Sequence, residues 1–191
     1  MSFASGFYSL RIELSDHENA RYEKIRVKTA RHPLETSEHQ AAKFLAFVHC
    51  YSKGLEFSGG IFQPSEPTIF KRDITGDWLS WIYVGVPPKK SLEAILRDRT
   101  CKERRIYLYA ETQIKELRHV IVTLKNQGEL PLQIYIIEEQ KLSILAECEA
   151  TSAEWKVTLV DDQAFVMCGE LDVDLEVREI EIDKYRGEVA A

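Results

Sequence analysis

The sequence predicts a single α/β (α+β) domain in which a mixed β-sheet is packed by helices. Segments with alternating hydrophobicity recur along the 191-residue chain, segments with helical spacing separate several of them, and no internal repeat or linker interrupts the series. Such alternation is typical of a layered domain of sheet and helices. We expect residues 1–191 to form one domain, with an ordered core at about 7–182 and a frayed tail at 183–191.

The chain begins with two strand patterns. Apolar and polar residues alternate in FYSLRIEL (7–14) and again in YEKIRVKTA (22–30), which is the period of a strand with one buried face. The polar segment between them is turn-like, so an antiparallel pair is expected.

A helix is expected next, over about 33–51. Pro33 suits its first turn, where the missing N–H costs nothing, and Glu35 and Glu38 favour the positive end of the helix dipole. The apolar residues of its core-facing side are Leu34, Ala41, Ala42, Leu45 and Val48. Glu38 follows Leu34 by four residues, so the pattern predicts a carboxylate on the side that faces the core.

The later elements follow the same two patterns, with glycine and proline marking many boundaries. A short strand and then an irregular loop are expected within 55–70. Strands are expected at about 77–85, 104–110 and 130–139, and helices at about 88–102, 112–128 and 141–150. The strand at 77–85 is aromatic and β-branched and is predicted to be buried on both faces. The C-terminal part is predicted to form β-hairpin strands, with a turn at Asp161 and Asp162.

Composition and motifs exclude several classes of protein. No run approaches the roughly 20 apolar residues that span a bilayer, and the first residues lack the pattern of a secretory signal, so a cytoplasmic protein without a membrane partner is expected. The motifs GxxxxGK[ST], GxGxxG, HExxH and GxSxG are absent, which argues against nucleotide-binding, zincin and serine-hydrolase chemistry.

The four cysteines, Cys50, Cys101, Cys148 and Cys168, lie far apart and form no CxxC pair. This spacing argues against a zinc site and against a disulfide framework, and it suits a reducing cytosol.

Charge is distributed unevenly along a chain of net charge −6. Residues 138–191 hold fifteen Asp and Glu against five Lys and Arg, and the densest basic stretch, 89–105, has seven positive and three negative residues. The positive charges of that stretch could bind along the phosphate backbone of a nucleic acid, or the stretch could be an ordinary solvated surface of mixed charge. The acidic overall balance weighs against tight nonspecific DNA binding.

Three strings form a more specific pattern: ARHPLETSEH (30–39), SEP (65–67) and WIYVGVP (81–87). With them the chain resembles the YaeQ family, small bacterial proteins whose fold is a variant of the PD-(D/E)XK nuclease fold. The matching pieces are ARHP-x-ET-x-E at 30–38, Leu45-Ala46, L-x-F-x-x-G at 55–60, Glu66-Pro67, Trp81-Ile82, Val84-Gly85 and Pro87. The resemblance spans roughly 7–182.

The resemblance implies a site for one or two Mg²⁺ or Mn²⁺ ions. Nucleases of this type hold the ion with carboxylates from a helix and adjacent strands, since hard cations prefer oxygen ligands, and the ion activates water against a phosphodiester. Glu38 would be the helix carboxylate and Glu66 a loop ligand. Asp73 or Asp77 could complete the set, so the metal ligands expected are Glu38, Glu66 and Asp77.

Two departures from the family pattern concern this site. Ser65 stands where related proteins tend to have Asp, and Tyr83 stands where they tend to have Glu. A phenol with a pKa near 10 is a poor Mg²⁺ ligand at neutral pH. The family lysine has no clear counterpart, and the candidates are Lys89, Lys90 and Lys102.

The same residues could instead have purely structural roles. Glu38 could pair with Arg31 or Lys43, or Tyr83 could donate a hydrogen bond to Glu38 across an emptied pocket. Arg31 and His32 could bind a ligand, together with Lys89 and Lys90, or could order the corner between strand and helix. Glu66 could be an exposed loop acid.

The sequence is therefore compatible with three functions. The first is a YaeQ-like protein that binds a nucleic-acid or protein partner and has a degenerate metal site. The residues at its catalytic positions are Glu38, Glu66 and Tyr83. The second is an active Mg²⁺-dependent nuclease with relocated carboxylates. The third is a protein-interaction module that uses the acidic C-terminal hairpins.

Overall fold

The computed structural model describes residues 7–30, 34–59, 66–124, 132–148 and 152–182. The strands of these ranges are β1 (Phe7–Asp16), β2 (Arg21–Ala30), β3 (Glu56–Phe57), β4 (Ile69–Arg72), β5 (Trp78–Val84), β6 (Glu103–Leu108), β7 (Gln133–Ile137), β8 (Ser152–Val160), β9 (Gln163–Cys168) and β10 (Leu171–Glu179). The helices are α1 (Ser37–His49), α2 (Lys89–Arg97), α3 (Glu111–Val122) and α4 (Glu139–Ala146).

The described strands form one mixed sheet in the order β2-β1-β8-β9-β10-β7-β6-β5-β4-β3. β1 and β2 pair antiparallel, with Phe7 opposite Ala30, which confirms the first predicted hairpin. β1 pairs in parallel with β8, and β5, β6 and β7 run parallel to one another. The sheet is nearly closed and barrel-like, and the chain is a single α+β domain.

Helix α1 lies inside the curve of this sheet. Every residue from Gln40 to Val48 is buried, and the same hydrophobic cluster contains residues of β1, β5, β7, β8, β9, β10 and α4. A helix that is buried on every side belongs to the centre of a core rather than to its surface. The first turn of α1 and its last residue, His49, therefore lie at the margins of the core.

Helices α2 and α3 cover the opposite face of β5, β6 and β7. Since side chains alternate across a strand, Ile82 and Val84 of β5 point toward the α1 side and belong to that cluster. Trp81 and Tyr83 point the other way and pack with Leu92 of α2 and other residues of the second cluster. Burial of β5 on both faces, as predicted, follows from this two-sided packing.

Several element boundaries differ from the sequence prediction. Helix α1 begins at Ser37 rather than near Pro33, because Thr36 is its N-cap. Residues 69–72, expected in a loop, form β4, which pairs with β5. Helices α2 and α3 end earlier, at Arg97 and Val122, and the expected stop at Gly128 lies outside the described residues.

One covalent feature contradicts the sequence prediction. Cys148, just after α4, and Cys168, at the end of β9, form a disulfide with their Cα atoms 6.5 Å apart. They are separated by 20 residues, and only the pairing of β8 with β9 brings them together. Spacing alone could not show this contact. Among the helices described, none is long and apolar enough to cross a membrane.

Candidate polar site at the start of α1

The site lies where the carboxyl ends of β5 and β6 meet the first turn of α1. The N–H of Gly85, just after β5, donates to the carbonyl of Tyr107 at 2.8 Å. Gly85 has φ +87°, and a Cβ built on it would lie 3.9 Å from the Tyr109 ring. The Tyr109 hydroxyl is in turn 3.3 Å from Nδ1 of His39. Strand ends and helix start thus share one edge of the sheet.

Thr36 fixes the beginning of α1. Its hydroxyl oxygen accepts a hydrogen bond from the backbone N–H of His39 at 3.2 Å, which is the standard arrangement of an N-cap. Glu35 therefore lies just before the helix rather than within it. Its side chain contacts that of Lys43, which lies eight positions later in the sequence, inside α1.

Glu35 and Lys43 form a buried ion pair. Nζ of Lys43 donates to Oε1 of Glu35 at 2.7 Å, and the two side chains are only 2% and 6% exposed. Burial lowers the pKa of Lys43, and the neighbouring Glu35 carboxylate opposes that shift. Nζ also lies 5.9 Å from the centre of the Phe57 ring. A buried carboxylate is costly without a partner, and Lys43 supplies one here.

His39 and Tyr109 extend this polar group toward the sheet edge. Nε2 of His39 is 3.6 Å from Oε1 of Glu35. Burial lowers the pKa of His39, Glu35 raises it and Lys43 lowers it further, so the imidazole is neutral at pH 7. Burial also raises the pKa of Tyr109, against the opposing hydrogen bond of Gln113. Glu35, Lys43, His39 and Tyr109 thus form one connected polar group.

Glu38 is exposed on the first turn of α1. Its negative charge contributes to the raised pKa of Tyr109, so it lies near the same sheet edge, but it does not face the core. The prediction of a core-facing Glu38 was wrong because Leu34, counted as part of the apolar side, precedes the helix and is 80% exposed. Lys43 pairs with Glu35, so the alternative of a Glu38–Lys43 pair is also wrong.

Glu66 lies at this same edge. The register of β4 on β5 pairs Ile69 with Ile82, and the N–H of Val84 donates to the Thr68 hydroxyl at 3.0 Å. Glu66 precedes Thr68 by two residues and is half-buried, so it lies near this end of β5.

Asp77 lies at the other end of β5. It belongs to the turn between β4 and β5, where Oδ1 of Asp73 accepts hydrogen bonds from the backbone N–H groups of Thr75 and Asp77. The seven residues of β5 separate it from Gly85 by roughly 26 Å at the rise of a strand. The predicted ligands Glu38, Glu66 and Asp77 therefore do not meet. Across the described ranges, no three His, Cys, Asp or Glu side chains are grouped to hold a metal ion.

Tyr83 lies on the opposite face of β5 from α1. It stacks on Trp81 with ring centres 5.6 Å apart, on the side covered by α2 and α3, and burial raises its pKa. The predicted hydrogen bond between Tyr83 and Glu38 is wrong, because neighbouring strand positions point to opposite faces.

The predicted binding residues are dispersed. Nζ of Lys89 donates to the carbonyl of Thr123 at the end of α3, at 2.7 Å, and Lys90 is exposed on α2. Arg31 and His32 lie outside the described residues, as does Ser65.

The Glu35–Lys43 pair was missed although the sequence contains a signal for it. Glu35, His39 and Lys43 follow one another at intervals of four, which aligns side chains along one side of a helix. Thr36, a favoured N-cap residue, marks where that helix begins.

Comparison with known proteins places the chain in a family. A family model described as YaeQ protein matches residues 1–177. The chain belongs to the YaeQ family. A curated relative, the uncharacterized protein YaeQ of Salmonella typhi, is 25% identical over 93 residues, which cover 49% of this chain and 51% of the relative. The chain thus spans about half the length of the curated relative it matches.

Two solved YaeQ structures share the fold. The crystal structure of YaeQ protein from Pseudomonas syringae has a TM-score of 0.79 and 24% identity, covering 96% of this chain and 99% of that one. The crystal structure of YaeQ protein from Xanthomonas axonopodis pv. citri has a TM-score of 0.77 and 21% identity, covering 92% and 98%. The YaeQ-family architecture therefore extends over nearly all of the chain.

Proposed function

We propose that this YaeQ-family protein acts by binding a partner, on a PD-(D/E)XK nuclease-like fold whose metal site is degenerate. The observation that carries the proposal is the Glu35–Lys43 pair at 2.7 Å. A divalent cation at this edge would have to compete with the lysine for the buried carboxylate. Glu38 and Glu66 remain at the edge without Asp77, and hard cations need several oxygen ligands at once.

The partner that we propose is a nucleic acid, bound in the cytoplasm through the surface of α2. The exposed cations of α2 and of the segment just after it are Lys89, Lys90, Arg97, Arg99 and Lys102. Their charge can neutralise phosphates, which is the main source of affinity in nonspecific nucleic-acid binding. The acidic C-terminal strands lie elsewhere in the sheet, so their charge does not cancel this surface directly.

A binding and cleavage assay on the same samples tests this function. Fluorescently labelled single-stranded DNA, duplex DNA and RNA are titrated with protein at low salt, with Mg²⁺ or Mn²⁺ present, and then resolved on a denaturing gel. We expect salt-dependent binding and intact strands. The double variant Lys90→Glu/Arg97→Glu should weaken binding by about tenfold, whereas Lys24→Glu, on the exposed face of β2, should not.

Two results would contradict the proposal. Cleavage of any labelled strand in the presence of metal would favour the alternative of an active phosphodiesterase with relocated ligands. If the folded protein binds none of the labelled nucleic acids at low salt, a nucleic acid is not its partner.

A protein partner is a second candidate, favoured by one observation. Asp172, Asp174 and Glu176 alternate along β10 with the buried Val173 and Leu175, so the acids share the outer face of the sheet. A basic protein surface could bind there. Replacing Asp172 and Asp174 by Asn would abolish such binding without disturbing the core, and unchanged partner binding would argue against this candidate.

A further inference from the structure

A second polar site lies at the opposite end of α1. A cavity of about 320 Å³ opens there, between the β1–β2 turn, the end of α1, strands β6 and β7, and the β8–β9 turn. We call it the α1 C-terminal pocket. α1 has 13 residues, so the pocket lies roughly 20 Å along the helix from Glu35. It is separate from the polar site described above.

Arg105 lines this pocket and forms no ion pair with another described residue. Its Nε atom is buried and has no hydrogen-bond partner among the described residues, and its guanidinium carbon lies 5.9 Å from the centre of the Tyr135 ring. The side chains that act on it electrostatically are Tyr107, Cys50 and Tyr135. Burial raises the pKa of Tyr135 and of the Cys50 thiol to about 12, so neither neutralises the arginine at pH 7. An orphaned buried donor of this kind calls for an acceptor.

His49 adds a neutral polar ring to the same lining. Its Nδ1 lies 2.7 Å from the Tyr107 hydroxyl. Burial, helped by Arg105 and opposed by Asp16, lowers the pKa of His49 to about 4, so the ring is neutral at pH 7.

The second arginine of the lining is already neutralised. Nε of Arg21 donates to Oδ2 of Asp16 at 2.9 Å, and another nitrogen of Arg21 donates to the carbonyl of Tyr51. Arg21 and Asp16 therefore cancel, and the remaining charges of the lining are Arg105 against three carboxylates. These carboxylates are Glu18, Glu103 and Asp161, and all three belong to exposed residues.

The balance of charge selects the ligand. One half-buried cation without an ion-pair partner among the described residues favours a single anionic group inside the pocket, whereas three carboxylates near the surface repel polyphosphates and attract cations. The volume is at the small end of the range for small-molecule sites, about 300–1,000 Å³. We propose that the α1 C-terminal pocket binds a free amino acid, with its carboxylate against Arg105 and its ammonium toward Glu18 and Asp161. Amino acids with a cationic side chain bind tightest.

Calorimetric titration with individual L-amino acids tests the proposal on the full chain. We expect L-arginine or L-lysine to bind with a Kd below about 1 mM, and inorganic phosphate and ATP to bind more weakly or not at all. Agmatine and cadaverine, which are the same two molecules without the carboxylate, should lose about tenfold or more in affinity. Equal affinity for the decarboxylated amines, or tighter binding of phosphate, would overturn the proposal.

Variants locate the binding. Arg105→Met should weaken binding of L-arginine by about tenfold, and Arg11→Met, which alters an exposed arginine of β1, should leave it unchanged. Arg105 is partly buried, so Asp161→Asn provides a second test that does not depend on the core. Asp161 is exposed with φ +50°, a conformation that Asn tolerates, and this variant should bind L-arginine several-fold more weakly. No binding by any amino acid, or unchanged binding in Asp161→Asn, would refute the site.

Discussion

At the scale of single residues, the buried acid of the candidate site is Glu35 and not Glu38. The two carboxylates are three positions apart. Glu38 lies in the first turn of α1, which emerges from the core, and it is exposed. Glu35 precedes the Thr36 cap, and among the described residues it is the acid within bonding distance of Lys43. The four-residue spacing of Glu35, His39 and Lys43 was visible in the sequence, but how deeply the first turn is buried depends on tertiary packing.

Replacement of Lys43 tests how much the buried ion pair contributes to the stability of the fold. Lys43→Met should lower the free energy of unfolding by about 3 kcal/mol, because it leaves Glu35 buried without a partner. Adding Glu35→Gln to that variant should recover part of the loss, since a neutral amide is less costly to bury than a carboxylate. Urea denaturation of the wild type, both single variants and the double variant measures the coupling.

The exposed pair of Lys24 and Glu13 is the control for this experiment. The two side chains are 85% and 52% exposed, so Lys24→Met should cost less than about 1 kcal/mol. Strictly additive effects of Lys43→Met and Glu35→Gln would show that the buried pair is not coupled.

At the scale of elements, α1 and β5 determine what can reach the site. α1 was predicted as an amphipathic helix, but it is buried on every side after its first turn. Periodicity cannot identify one inward face in such a helix. For β5, burial on both faces was predicted correctly. Which face Tyr83 occupies could not be predicted, because that depends on how the strand is placed between α1 and α2.

We expect the stability of the fold to depend on having glycine at position 85, at the end of β5. Its φ of +87° is a conformation that costs L-residues with a Cβ roughly 1–2 kcal/mol. Space is not the reason, because the nearest atom to an added Cβ would be at ordinary contact distance. Gly85→Ala should therefore lower the free energy of unfolding by about 1 kcal/mol.

The matched comparison is Gly59→Ala, at a glycine without a positive φ and with no atom within 4 Å of an added Cβ. That variant should change stability by less than about 0.5 kcal/mol. Equal effects at the two positions, measured by thermal and chemical unfolding, would contradict the conformational argument.

At the scale of the whole molecule, local patterns predicted most elements but not how the sheet closes. The β1–β2 and β8–β9 hairpins could be predicted because their strands are neighbours in sequence and joined by polar turns. The parallel pairing of Leu10 with Ala153 joins positions far apart in the chain, and no local signal specifies it. The same limit explains the disulfide, since Cys148 and Cys168 meet only after β8 and β9 have paired. The four-residue strand β4 was missed because it follows a segment rich in Gly and Pro.

The disulfide should contribute to the stability of the oxidised protein. It closes a loop of 20 residues, for which the chain-entropy estimate is about 3 kcal/mol. We expect Cys148→Ala to lower the free energy of unfolding by about that amount without reductant. In excess dithiothreitol the wild type should lose the same stabilisation, so the difference should fall below about 1 kcal/mol. A difference that persists in reductant would show that packing, and not the crosslink, is responsible.

A calorimetric titration with Mn²⁺ tests most directly whether the nuclease-type site is degenerate. With Lys43 holding Glu35, and Asp77 at the far end of β5, we expect no saturable binding up to about 1 mM Mn²⁺. The wild type and Glu38→Gln should then give the same heats. Saturable Mn²⁺ binding in the micromolar range that is lost in Glu38→Gln would contradict the account.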